Sequence, residues 1–283
     1  TLRCNGGEFT AGSTSLLGTV ECPGYPTYPF NWTGNAGDGN VFTAGNWQGL
    51  QSPPADALVV FNSAYCGANC DAFVPSVATL RGIIMEAGYS GTITQGAGAP
   101  ISVGNKGIRQ YGGTFLGSEA AIDLAGPAVL QGGTFRSTSG TLASRTNVTI
   151  ANTFQHNNGT WQFTTAYQTT RALALGTTTF RNLTFYSNTG FDAHTFNVTG
   201  TPTVLGNLSF QRVNATASGT INGGTFSVHG DVNVQASNYI GTMAVRLVGS
   251  GNQTVNATTA PPPFQNWKTP RPEAPSPIPE IPF

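Results

Sequence analysis

Apolar and polar residues alternate in short bursts along this chain, and the bursts repeat. Ile101 with Val103, then Ile122 with Leu124, then the weaker Leu142 with Val148 and Ile150, each open a unit that closes on a phenylalanine. The closing phrase is Gly112-Gly113-Thr114-Phe115; it returns as Gly132-Gly133-Thr134-Phe135 twenty positions on and as Asn152-Thr153-Phe154 nineteen after that. Alternation with period two puts one set of side chains on one face of a strand. A three-residue burst buries too little by itself, so self-similarity near 20 residues predicts a solenoid whose turns cover one another. Phe115, Phe135 and Phe154 are expected to stack in register inside it, with the Gly-Gly pairs at corners that need φ > 0.

The theme loosens past Thr160 without vanishing. Thr179-Phe180, Leu183 with Phe185, Thr195-Phe196, Leu208 with Phe210, and Gly223-Gly224-Thr225-Phe226 carry it on, so Phe180 and Phe226 join the predicted repeat core. Upstream, Val74, Val77, Leu80, Ile83 and Ile84 predict the apolar face of the first regular coils. No segment of ten or more residues carries a 3.6-residue apolar period, and 37 Gly and 18 Pro oppose helix. The predicted fold is therefore all-β, a parallel β-helix or β-solenoid over residues 74–260. About nine coils of ~20 residues at ~4.8 Å per strand would give a stack of about 45 Å. Phe, Val, Ile and Leu ladders should fill it, and Thr, Ser and Asn ladders should line its outside.

The two ends read differently. Residues 1–30 carry turn signals and little periodicity, which predicts an irregular N-terminal arm tied by a disulfide. The four cysteines, Cys4, Cys22, Cys66 and Cys70, all fall in the first quarter, and an even count reads as two disulfides formed in an oxidising compartment. Cys4–Cys22 and Cys66–Cys70 is the favoured pairing of three; bonds between subunits stay open. A zinc site is the weaker reading, since no histidine lies near and no paired Cys-x-x-Cys occurs. Residues 261–283 hold nine of the eighteen prolines and predict an extended, polyproline-like tail. A solvated linker is the plain interpretation. Phe264, Trp267, Ile278, Ile281 and Phe283 are nonetheless spaced as anchors of an arm lying in a groove on a neighbouring copy.

Residues 31–73 form a capping module. Asn31-Trp32-Thr33-Gly34, Asn46-Trp47, Pro53-Pro54-Ala55-Asp56 and the strand Ala57-Leu58-Val59-Val60-Phe61 resemble the opening segment of bacterial surface proteins with autotransporter-type β-solenoid repeats. Phrases such as residues 179–185 and 249–255 are similar to phrases of that adhesin-like extracellular repeat family, and the likeness covers roughly residues 30–260. It implies a β-solenoid on a bacterial surface and specifies no activity. Trp32 and Trp47 are large enough to cap the open end of a coil stack; a sugar-binding platform is the functional rival for the same aromatics.

Charge narrows the partners. Charged residues are only 8% of the chain, roughly a third of the usual share. Twelve Lys+Arg balance twelve Asp+Glu, which leaves no field to draw in nucleic acid or an anionic membrane. Zero net charge does little to oppose self-association, so a homo-oligomer or polymer is the expected partner, with a glycan surface as the alternative. No apolar run approaches a membrane span. A start at Thr1 fits an exported product whose signal has been removed, and hence an extracellular or cell-surface location; a trimmed chain is the plain alternative.

Catalytic chemistry is sparse. Glycoside hydrolysis needs two carboxylates astride the scissile bond. Past residue 100 the repeat region offers only Asp123, Asp192, Asp231 and Glu119, and Asp123 alternates with Ile122 and Leu124, so it faces outward. Lyases need a cation-binding acid cluster and a basic residue, yet the only lysines are Lys106 and Lys268. Residues 35–40 (Asn-Ala-Gly-Asp-Gly-Asn) have a faint calcium-loop flavour without the distal Glu; a turn explains them better. His156, His194 and His229 read as surface or corner residues. Asn-x-Ser/Thr recurs at Asn31, Asn147, Asn158, Asn182, Asn197, Asn207, Asn214, Asn252 and Asn256, a consequence of a chain rich in Asn and Thr. No catalytic, cofactor or metal residue is assigned. The function expected is that of an extracellular structural protein, not an enzyme: a β-solenoid subunit that builds a filament, sheath or surface layer. An adhesin or carbohydrate-binding stalk is the second reading and a β-helical polysaccharide lyase or hydrolase the third.

Overall fold

The computed structural model describes residues 2–4, 7–9, 29–165, 170–187, 194–212, 219–235, 239–257 and 267–268. Among these residues the fold is a parallel β-solenoid of about eight turns with almost no helix. Each full turn carries three short strands on three faces. The first face runs from residues 78–80 through 101–103 to Ile122–Leu124, Thr141–Ser144, Thr160–Thr165, Asn182–Ser187, Leu208–Arg212, Val232–Val234 and Val255–Ala257. The second starts at Phe30–Asn31 and Ala57–Phe61, passes through residues 82–85 and 107–110, and continues from Ala128–Leu130 to Tyr239–Ile240. The third holds Ala72–Val74, Thr92–Gln95, Thr114–Leu116, Thr134–Arg136 and Thr153–Gln155. After a break it resumes at Thr179–Phe180 and ends at Trp267–Lys268.

Two long strands, Ala78–Met85 and Ile101–Gln110, turn the corner between the first and second faces and join them into one sheet. Strands pair with partners one turn away, so the hydrogen bonds run along the stack. Inward-facing residues donate towards the following turn: Ile101 N–H to Ala121 O (3.0 Å), Leu183 to Asn207 O (3.0 Å), Val232 to Thr254 O (3.0 Å). The capping module contributes its own strands to these sheets and is continuous with the solenoid.

Nine first-face strands, from residues 78–80 to Val255–Ala257, are joined by about eight turns, and the turns lengthen along the chain. Leu142 pairs with Trp161 nineteen positions on, Trp161 with Leu183 after 22, and Leu183 with Leu208 after 25. At ~4.8 Å per turn the rise from residues 78–80 to Val255–Ala257 is about 38 Å.

The interior is built of columns. Ile101, Ile122, Leu142, Trp161, Leu183, Leu208 and Val232 lie above one another on the first face. On the third, the rings of Phe115 and Phe135 stack at 4.9 Å and 8°, and those of Phe135 and Phe154 at 6.2 Å and 11°. Phe154 is only partly buried, at the end of that sheet. The next third-face strand arrives 26 positions later, and Phe180 meets Phe154 tilted, at 5.5 Å. Phe180 and Phe226 are both buried but occupy different columns: Phe180 aligns with Val204 and Val228, Phe226 with Val245. Val77 is 64% exposed and not part of the core, because Ala78 takes the inward position and the alternation turns Val77 out. Outside, Thr92, Thr114, Thr134 and Thr153 share a register, and Asn197 with Asn222 and Asn233 with Asn256 pair their amides at 3.3 and 3.0 Å.

Two buried glutamines clamp corners that the apolar pattern leaves unmarked. Gln110 donates to the carbonyls of Gly113 and Thr134 (3.1 and 3.0 Å), and Gln95 to those of Ala99 and Ala120 (2.7 and 3.2 Å). Buried corner carbonyls would otherwise be left without donors. Gly113 and Gly133 adopt φ of 65° and 67°, and a Cβ on Gly133 would fall on the Gly113 carbonyl oxygen of the turn before. Both the handedness and the stacking distance therefore demand glycine there.

Phe135→Ala should destabilise the chain by about 3–5 kcal/mol through the cavity it leaves. Gly133→Ala should lower the urea midpoint as well, although it adds only a methyl group. Equal midpoints for Gly133→Ala and the parent chain would contradict the corner geometry described.

Candidate functional site

The N-terminal end of the stack is closed by aromatics. Trp32 and Trp47 are 0% and 1% exposed, face each other across an antiparallel bridge and meet edge to face at 5.0 Å. Phe61 packs against both at 5.8 Å, and Phe30 lies on Trp47 at 6.3 Å. The Trp47 indole donates to Val41 O (2.8 Å) and the Trp32 indole to Asn69 O (3.2 Å), so both polar tips are satisfied inside. These rings cover the first core layer and leave no face on which a sugar could stack.

Asp38 fixes the turn over this cap. Its carboxylate accepts from the Thr43 hydroxyl (2.6 Å), the Asn40 N–H (3.0 Å) and the Asn46 amide (2.5 Å). The Thr43 bond, then the Asn40 N–H and the Asn46 amide, hold its pKa below the ordinary 3.8. With those oxygens engaged, residues 35–40 form a turn, as the missing distal Glu suggests.

Cys66 and Cys70 are joined, closing a one-turn helix, Ser63–Cys66, that starts on the Asn62 side chain. The Tyr89 hydroxyl donates to Cys70 O (2.6 Å), and burial, then the charge of Asp71, pushes its pKa up. Cys4 lies on a short hairpin, Leu2–Cys4 with Gly7–Phe9; its expected partner Cys22 lies outside the described residues.

Beside the cap, the first face lacks a strand in the turn of Ala57–Phe61. Residues 53–55 cross the gap and leave a cavity of about 220 Å³. Its floor includes Val59, Ile83, Ile101 and Phe115; Thr79 is the one polar residue on its wall. Val77 and Phe42, 64% and 39% exposed, stand at its mouth. Sequence reading missed this cavity, because a missing strand is visible only once the faces are assigned.

Three of the candidate acids, Glu119, Asp123 and Asp231, are engaged by groups of neighbouring turns. Asp123 is outward-facing and held by Arg145 (Nη2–Oδ2 2.6 Å, Nε–Oδ1 3.0 Å), a partner one turn away that the sequence spacing did not suggest. Glu119 accepts from Gly98 N–H at 2.5 Å. Asp231 continues a column in which a side-chain oxygen of one turn accepts a backbone N–H of the next. Asn182 accepts from Asn207 N, Asn207 from Asp231 N, and Asp231 from Thr254 N, at 3.0, 3.0 and 2.8 Å. The Thr254 N–H and then its hydroxyl hold the Asp231 pKa below 3.8. Asp192 lies outside the described residues.

His229 is exposed and His156 half-buried; burial, and then Arg181, lowers the His156 pKa, and its Nδ1 accepts from Asn158 N–H at 2.9 Å. His194 departs from the surface expectation. It faces inward at 2% exposure against Phe196 and Tyr239, because alternation along His194–Gly200 turns it into the core. Among the described residues no group of three His, Cys, Asp or Glu could hold a metal, and no helix is long and apolar enough to cross a membrane.

Among the described residues the far end is uncovered. Val255–Ala257 is exposed throughout, and Ile240 is 56% exposed on the last described second-face strand. Trp267 lies in a strand paired with Val245 of the same chain, so its backbone belongs to this molecule's third face. Phe264, Ile278, Ile281 and Phe283 lie outside the described residues. No protein-family model, curated protein or solved structure matches the chain.

Asp231→Asn should leave neutral-pH stability unchanged, since Asn182 and Asn207 do the same work in that column. The sign of its acid dependence follows from the lowered pKa. The Asp231 contribution is full above 3.8 and is lost as pH falls through the lower folded value, so the variant should lose less stability than the parent between pH 5 and pH 2. Trp32→Ala should lower stability by about 3–5 kcal/mol and raise binding of an apolar dye. An unchanged melting curve would show that the end needs no cover.

Proposed function

We propose that this chain is an exported structural subunit that self-assembles into a filament, sheath or surface layer. The observation that carries the reading is the asymmetry of the two ends. One finishes on the exposed strand Val255–Ala257, whose outer edge has no partner among the described residues. The other is covered by Trp32 and Trp47 but keeps an apolar gap at its side. An unpaired parallel strand edge is a template for another chain, and an identical copy is the partner always at hand. Zero net charge offers little opposition to such contacts. The acids committed to Arg145, Gly98 and Thr254 support a scaffold more than a catalyst. A bacterial surface setting rests on the resemblance of the capping module and repeats to autotransporter-type solenoids.

With the indoles of the cap buried, nothing favours gripping of glycans at Trp32 or Trp47. The assembly reading implies strands lying across the long axis of any fibre. Purified chain at rising concentration should give oligomers by light scattering and filaments by electron microscopy, with an axial spacing of about 4.8 Å in fibre diffraction. A sharp monomer at high concentration would remove this function.

A further inference from the structure

We infer that the cavity beside the cap is the socket for residues 277–283 of a second copy of this chain. The inference rests on the assembly reading and names the contact that would join the copies. A cavity of about 220 Å³ walled by apolar side chains, with Thr79 the exception, offers a ligand almost nothing to hydrogen-bond. Apolar cavities of this kind stay dry and take apolar groups. It lies at the side of residues 78–80, where the Asp56 N–H already holds Thr79 O and Ala57 pairs with Leu80, so it offers apolar walls for the side chains of a peptide laid along its mouth.

The chain carries such a peptide. Laid out as a strand, Pro277, Pro279, Ile281 and Phe283 share one face, and that face is wholly apolar. Pro277 and Pro279 then turn their missing N–H to one side and Pro282 to the other, which leaves Ile278 and Glu280 as the backbone donors on that second side. Proline is tolerated in a strand only on such an outer edge. Glu280 adds a charge beside the apolar run. Arg81, next to Leu80 on the cavity wall, has a buried Nε with no hydrogen-bond partner among the described residues.

Reach favours a neighbour's cavity over the chain's own. From Trp267–Lys268 back to Ala72–Val74, the third-face strand of the cavity's own turn, is about nine turns, or ~43 Å. Thirteen rises lead from Lys268 to Ile281, which at the ~3.1 Å of the polyproline form favoured by its prolines span ~40 Å, with nothing left to round the solenoid. A copy placed beyond the open end brings its cavity within a few turns of Lys268.

Two singly substituted full-length chains test this: Val77→Cys at the mouth of the cavity and Ile281→Cys in the tail. Val77 is exposed, so its replacement leaves the core intact. Mixed and treated with a short bis-maleimide, they should give a heterodimeric adduct in several-fold greater yield than Ile281→Cys with Val248→Cys, a position near the opposite end. Equal yields would overturn the socket. So would adducts confined to single chains of the double variant Val77→Cys/Ile281→Cys, since these place the tail in its own cavity. Filaments without the adduct would sink the socket and leave the assembly reading standing; the adduct in dimers that never form filaments would support the socket and sink the filament.

Discussion

Pairing of each turn with the turn beside it is the constraint on which this molecule depends. A three-residue strand has neither the length nor the apolar area to persist alone. It persists because both neighbours present the same backbone spacing and the same inward side chain. The pairing of Ile122 with Ile101 on one side and Leu142 on the other illustrates this. A slip of one residue would turn that column outward and bring Asp123 inside. The corners enforce the register: Gly133 must sit over Gly113, and Gln110 reaches carbonyls belonging to two turns.

Much of this architecture is legible in the sequence, since its period is written in residues that have no other use. The glycine pairs mark corners, and the phenylalanines that follow them mark the third face. Legibility fades where the turn lengthens. Phe226 repeats the phrase of Phe115 yet falls in a different column from Phe180, because motif identity does not fix register once spacing drifts from 19 to 25. Contacts between turns were also hidden. Asp123 and Arg145 are 22 residues apart in a chain whose local turns measure 19 to 21, and only the corner offset brings them together. The inward place of His194 is not legible without a strand boundary, since inward and outward positions cannot otherwise be told apart.

The cap shows how a repeat array stops. An uncovered first layer would leave Phe61 and Val59 in water. Trp32 and Trp47 cover it with the largest apolar side chains available and satisfy their indole N–H groups on Asn69 and Val41 carbonyls. The cover is incomplete because residues 53–55 span the first face without pairing as a strand. What the cap leaves open is therefore sideways access to the core, a different kind of opening from the far strand edge, which has no partner among the described residues.

The inward amides give one further result. Ile101, Leu183, Leu208 and Val232 all point their N–H groups towards higher-numbered turns. The rod thus has a direction, like an arrow. Copies laid nose to tail would continue the same bonding sense across every junction, whereas copies meeting tail to tail would have to reverse it. Copies laid nose to tail would accordingly leave unlike tips, one covered by Trp32 and Trp47 and the other ending on Val255–Ala257.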